Sequence, residues 1–146
     1  AGRNSLLDAL QAAVLLAKAR HLPCWQAARE RLASRYLDEL RGTPLTLPHR
    51  PAAPALHGWH AFVVRTPRRD ALGAFLREHG VDSRAYYPLP LHRQECFASL
   101  GHAELPAAEA ACTTALALPI FPTMTDDQQS HVVAQLCRFF AARVTP

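Results

Sequence analysis

Gly80-Val81-Asp82-Ser83-Arg84-Ala85-Tyr86-Tyr87-Pro88-Leu89-Pro90-Leu91-His92 sets two aromatic rings beside two prolines and closes on a histidine. Proline fixes φ and pushes the residue before it out of the helical region. Tyr87 and Leu89 are therefore expected to be extended, and the segment to behave as a stiff, presented loop. A stiff loop with aromatic faces and an imidazole loses little entropy on gripping a flat or sugar-like ligand. Tyr86, Tyr87 and His92 are accordingly candidate ligand-binding residues. The same residues would also suit a structural X-Pro connection whose tyrosines plug a core.

Before this loop, Arg69 to His79 carries Leu72, Phe75 and Leu76 at helical spacing and ends at Gly80. Val81 to Ala85 reads as a strand leading straight into the loop. His60 to Arg65 has the β-branched and aromatic content of another short strand. Thr43 to Gly58 is rich in proline and alanine without a period, so it reads as a loop with one extended piece at Leu45 to Leu47. Cys24 to Leu40 should be a helix, with Pro23 placed for its first turn, Trp25, Ala28, Leu32, Tyr36 and Leu40 along one side, and Gly42 as its stop. Ser5 to Arg20 is expected as a first helix. Ser5 with Asp8 matches a capping box, and Leu6, Leu7, Leu10, Val14 and Ala17 form a stripe that Leu15 and Leu16 widen.

Beyond His92 a short helix is expected to Leu100, closed by Gly101, and another from Pro106 to about Thr114. Ala115 to Leu118 reads as a strand stopped by Pro119 and Pro122. Thr125 with Gln128 is a capping box opening a last helix to about Arg143, buried through Val132, Val133, Leu136, Phe139 and Phe140. Helices alternate with few short strands, and no internal repeat is present. The expected class is α/β (α+β-like), a short, mostly antiparallel sheet with helices packed on one face.

The chain of 146 residues, 49% hydrophobic and 19% charged, is long enough to bury one core. Its net charge of +4 comes from arginines scattered along helices rather than from a Lys/Arg run, which argues against a nucleic-acid partner. No apolar run reaches membrane-spanning length, so no membrane partner is expected. Cys24, Cys96, Cys112 and Cys137 lie far apart and form no C-x-x-C pair. This argues against a zinc site or a disulfide framework and fits reduced thiols in a cytoplasmic protein. Cys96, in the short helix after the loop, reads as buried rather than reactive. Of the histidines only His57 and His60 are close enough to pair, and without a third ligand no metal site is expected. The opening Ala1-Gly2-Arg3-Asn4 lacks methionine and any signal-peptide pattern, as a piece of a longer product would.

Covalent catalysis needs an activated nucleophile with a base beside it, and no G-x-S-x-G or comparable frame is present. The carboxylate pairs Asp126-Asp127 and Asp38-Glu39 diverge by about 100° on a helix and cannot converge on one substrate. No glycine-rich phosphate loop occurs. Gly2, Asn4 and Ser5 at the first helix could attract an anionic group, although on this feature alone a plain cap by Asn4 or Ser5 is the favoured reading.

Taken together, several separated segments point to one family. Gly2-Arg3-Asn4-Ser5-Leu6-Leu7-Asp8-Ala9-Leu10-Gln11-Ala12-Ala13 resembles the G-x-N-S-R-L-D-E-L-Q-A-A segment of the DegT/DnrJ/EryC1/StrS family. These are pyridoxal-phosphate-dependent aminotransferases acting on nucleotide-linked keto sugars. Arg84 to His92 resembles that family's H/Y-Y-P-x-P-x-H loop, and Gly58 to Phe62 is similar to its H-x-F/Y strand. Leu105-Pro106-Ala107-Ala108-Glu109 and Leu116-Ala117-Leu118-Pro119-Ile120-Phe121-Pro122 resemble its F-P-x-A-E and L-S-L-P-x-x-P segments. The order and spacing agree over essentially the whole chain.

The resemblance implies the C-terminal portion of a fold-type I pyridoxal-phosphate transferase. Residues 1–146 would form its small domain with a leading inter-domain helix, without the N-terminal domain that carries the cofactor pocket and the Schiff-base lysine. The single lysine, Lys18, lies on the first helix and does not match that position, so the chain is expected to be inactive alone. The resemblance further implies that Asn4 reaches the cofactor phosphate from the neighbouring subunit of a homodimer. It places Tyr86, Tyr87 and His92 on the sugar-nucleotide side. Leu6 stands where the family has arginine, which removes a bidentate phosphate donor. The parent reaction would move an amino group, usually from glutamate, to a keto carbon of a nucleotide-activated hexose. Two other readings are a non-catalytic paralogue that binds a sugar nucleotide or pairs with a complete subunit, and a relative with dehydratase-type chemistry.

Overall fold

The computed structural model describes residues 7–101 and 104–142. In chain order the elements are α1 (Ala9–Ala19), α2 (Leu22–Glu39), β1 (Phe62–Arg65), α3 (Arg69–Glu78), two 3₁₀ turns (Leu91–Arg93 and Glu95–Leu100), α4 (Pro106–Thr114), β2 (Ala115–Leu118) and α5 (Asp126–Ala141). The expected class stands: a small antiparallel sheet with helices packed against it.

β1 and β2 pair antiparallel, with Phe62 opposite Leu118 and Val64 opposite Leu116. Single bridges widen this ladder on both edges. Thr46 pairs with Arg65 beside β1, and Arg84 pairs with Ala117 beside β2. The buried strand residues Phe62, Val64, Leu116 and Leu118 meet Leu32, Tyr36 and Leu40 of the α2 end, Leu72 and Leu76 of α3, and Val132, Leu136 and Phe139 of α5 in one core. The Tyr36 ring packs tilted against Phe62, with centroids 4.9 Å apart, and its hydroxyl donates to the Pro119 carbonyl at 2.9 Å. Burial pushes the Tyr36 phenol well above its ordinary pKa, so it stays a neutral donor. The Gln129 side chain, fully buried on α5, donates to the Leu32 carbonyl at 2.7 Å and ties α5 to α2. At the surface Arg31 reaches Asp126 at 2.8 Å across the same pair of helices.

Local signals account for the boundaries. Thr125 and Gln128 form both halves of a capping box at α5. Pro106 opens α4 and Pro23 lies in the first turn of α2. The end of α3 is a Schellman motif: the Gly80 N–H donates to the Arg77 carbonyl at 3.2 Å and the Val81 N–H to the Leu76 carbonyl at 2.8 Å, with Gly80 at φ 74°.

That motif overturns the expected Val81–Ala85 strand. Val81 spends its N–H on the helix end and its side chain on the core, so only Arg84 reaches the sheet. The expected helix after His92 is instead the two 3₁₀ turns, and Cys96 within them is exposed, not buried. β1 starts at Phe62 rather than His60, because Trp59 at φ 44° turns the chain just before it. The buried Trp59 ring donates its Nε1–H to Glu30 on α2 at 2.5 Å. α1 begins at Ala9, where the Asp8 carboxylate accepts the Gln11 N–H at 2.8 Å. Ser5, expected as its cap, lies outside the described residues.

No residue of α1 is buried. Leu10 is 77% exposed and Leu16 70%. Among the described residues, no helix is long and apolar enough to cross a membrane, and no group of three His, Cys, Asp or Glu side chains could hold a metal ion.

Truncating the buried Leu136 to alanine is expected to cost about 2–5 kcal/mol of unfolding free energy in urea titrations. Leu16→Ala, on the uncovered helix, should stay within about 0.5 kcal/mol. Equal effects at the two positions would contradict the core described above.

Candidate functional site: the Tyr86–Tyr87 loop

The loop after Arg84 is anchored at both ends. At its start Arg84 and Ala117 exchange backbone hydrogen bonds, Arg84 N–H to Ala117 O at 3.1 Å and Ala117 N–H to Arg84 O at 2.7 Å. At its far end the first 3₁₀ turn sets His92 Nε2 3.0 Å from Glu109 Oε1, and the Arg93 guanidinium reaches the same oxygen at 3.1 Å through Nη2. Glu109 lies in the first turn of α4, which runs directly into β2. The carboxyl of Glu109 is held below its usual range, first by the hydrogen bond with His92 and then by those from Arg93.

Between the anchors Tyr86 is 53% and Tyr87 73% exposed, so the tyrosines do not plug the core. The peptide joining them is cis, and their rings meet edge to face with centroids 6.0 Å apart. Tyr86 lines an open cavity of about 300 Å³ with His60, Ser83, Arg84, Ile120 and Phe121. The surfaces present are those a sugar or a nucleobase accepts: ring faces, hydroxyls, an imidazole and a guanidinium. The Arg84 head group is 3.6 Å from Asp82, with both side chains largely exposed, so this pairing is weak.

Of the residues singled out in the sequence, Tyr86 and Tyr87 come together. Neither Tyr87 nor His92 lines the cavity of Tyr86. His92 lines a separate apolar one with Leu91, Phe97, Leu100 and Leu105. Asn4, expected at the cofactor phosphate, and Leu6 lie outside the described residues. His57, considered with His60 as a metal pair, stacks on Trp59 at 4.0 Å and accepts its backbone N–H at 2.9 Å. Sequence reasoning passed over Glu109, Arg93 and Arg84 as site residues. The signal available for Glu109 was its place as the last residue of the segment resembling F-P-x-A-E.

Comparison with known proteins decides the family. The profile of the DegT/DnrJ/EryC1/StrS aminotransferase family matches residues 1–137. The chain belongs to this family. It is 43% identical over 144 residues to a pleiotropic regulatory protein of Geobacillus stearothermophilus, covering 95% of the chain and 38% of the relative. It is 40% identical to a dTDP-3-amino-3,4,6-trideoxy-alpha-D-glucose transaminase of Streptomyces venezuelae, covering 98% and 38%. Among solved structures, DesV of S. venezuelae in complex with a ketimine intermediate superposes with a TM-score of 0.88 at 38% identity, covering 98% of this chain and 39% of that one. NtdA of Bacillus subtilis, with bound cofactor PMP, gives 0.83 at 29% identity, covering 96% and 34%. The chain thus spans about two-fifths of the length of the relatives it matches, in their C-terminal part.

Members of the DegT/DnrJ/EryC1/StrS family are pyridoxal-phosphate enzymes. The described residues do not furnish the cofactor's covalent anchor. The one lysine of the sequence, Lys18, is exposed in the last turn of α1, without the burial of a Schiff-base pocket.

A carboxyl with a depressed folded pKa gives stability above its unfolded value and loses it as pH falls through the folded one. The stability difference between the wild type and Glu109→Gln, small because the pair is exposed, is therefore expected to close on acidification below the ordinary carboxylate range. Urea titrations at stepped pH read this directly, and a difference that grows with acid would contradict it.

Proposed function

We propose that this chain is the C-terminal, small-domain part of a pyridoxal-phosphate-dependent sugar aminotransferase that acts in the cytoplasm as a homodimer. The observation that carries the reading is the match along residues 1–137, joined to a presented tyrosine loop at the sheet edge. The complete polypeptide moves an amino group, with glutamate as the expected donor, to a keto carbon of a nucleotide-linked hexose. The Streptomyces relative named for a dTDP-amino-sugar reaction supports that substrate class.

When bound, the cofactor supplies the electron sink for transamination. This chain's part is positional. Tyr86 and Tyr87 offer ring faces and hydroxyls to the sugar-nucleotide side, and His92, which lines a separate cavity, holds the end of their loop through Glu109. Asn4 is assigned to the cofactor phosphate of the partner subunit, beside a Leu6 that cannot supply the arginine contact of the family pattern. The apolar ridge of α1 is assigned to contact with the rest of the polypeptide.

A second reading is a non-catalytic module that binds a sugar nucleotide or pairs with a complete subunit. Leu6, standing where the family pattern has a phosphate-binding arginine, favours it.

Pyridoxal phosphate added to this chain alone is expected to give no Schiff-base absorbance and no borohydride-reducible adduct at Lys18. The complete polypeptide should show both at a lysine outside this chain and transfer nitrogen from glutamate to a nucleotide-linked keto sugar. Absence of cofactor binding and of turnover in the complete polypeptide would favour the non-catalytic module.

A further inference from the structure

We propose that Glu109 is a positioning residue for the substrate-side loop: by holding His92 and Arg93 through one carboxylate oxygen, it sets where Tyr86 and Tyr87 present their rings. The inference rests on the functional reading above for what the rings meet, and on geometry alone for the clamp itself.

Both ends of the loop are fixed to one continuous piece of chain. Ala117 on β2 holds Arg84, and Glu109 on α4, which runs into β2 without a break, holds His92 and Arg93. Pro88 and Pro90 lie between the tyrosines and the clamp. Their rings fix φ and restrict the residues before them, so a rotation at His92 is carried back toward Tyr87 rather than absorbed. Pro90 itself is extended, at φ −68° and ψ 152°, and its carbonyl accepts the Arg93 N–H at 2.9 Å. The Gln94 side chain adds a 3.4 Å contact to the Leu89 carbonyl.

The Glu109 side chain is 37% exposed and the Arg93 side chain 38%, whereas that of His92 is 15% exposed. Exposed ion pairs add little to global stability. Such a clamp acts mainly on the local orientation of what it holds, and the core elements α2, α3 and α5 do not depend on it.

The test uses the complete polypeptide with Glu109→Ala and with Glu109→Gln, which keeps an acceptor but loses the charge. Amide hydrogen exchange is expected to quicken by about tenfold in residues 85–94 of Glu109→Ala and to stay unchanged in α5. The KM for the nucleotide-sugar substrate should rise by about tenfold while the glutamate half-reaction keeps its rate, with Glu109→Gln intermediate in both. Unchanged exchange in the loop, or exchange rising equally in the loop and α5, overturns the clamp. A loosened loop with an unaltered KM overturns its role toward substrate. If the wild type turns over no nucleotide-linked keto sugar, the functional reading fails, while the exchange comparison still decides whether Glu109 holds the loop.

Discussion

One pair of backbone hydrogen bonds, exchanged between Arg84 and Ala117, brings the presented loop into register with the core. β2 is short, and one of its sides is taken by β1. Its other side would be a bare edge, with unpaired N–H and C=O groups. Arg84 covers that edge for one residue only, and the chain then leaves the sheet at Tyr86. The depth at which the tyrosines emerge is thus set by β2, and β2 is set by the Phe62, Val64, Leu116 and Leu118 side chains beneath it. Tyr36 fixes the other end of the strand by donating to the Pro119 carbonyl just past it.

Elements whose ends carry their own chemistry were legible from residues alone. α4 and β2 fall where Pro106 and the Ala-Leu-Ala-Leu run place them, and α5 starts where Thr125 and Gln128 can satisfy each other's backbone. Val81 to Ala85 misled because two local preferences compete there. Valine favours a strand, but the glycine before it closes a helix and draws the valine N–H backward. Trp59 misled in a different way. A bulky residue at positive φ is disfavoured locally, and it is stabilised here by Glu30, far back in the chain.

The site was half legible. Proline stiffness and paired rings marked the loop, and the exposure of Tyr86 and Tyr87 excludes the reading of them as plugs of this core. The partner of His92 was not legible, since it sits 17 positions away on another helix. Neither was the separation of His92 from the Tyr86 cavity, because spacing along a loop says nothing about which side of it a ring occupies. Cys96 is exposed for a related reason. A 3₁₀ turn does not present the broad buried face that an α-helix of the same length would.

The uncovered first helix has a thermodynamic consequence. A helix of 11 residues is marginal in water on hydrogen bonds and a cap alone, and α1 has no buried side chain to add to them. Its coil–helix balance is therefore governed by whatever apolar surface it meets. The helical content of this one segment is therefore largely independent of whether the core beside it has melted.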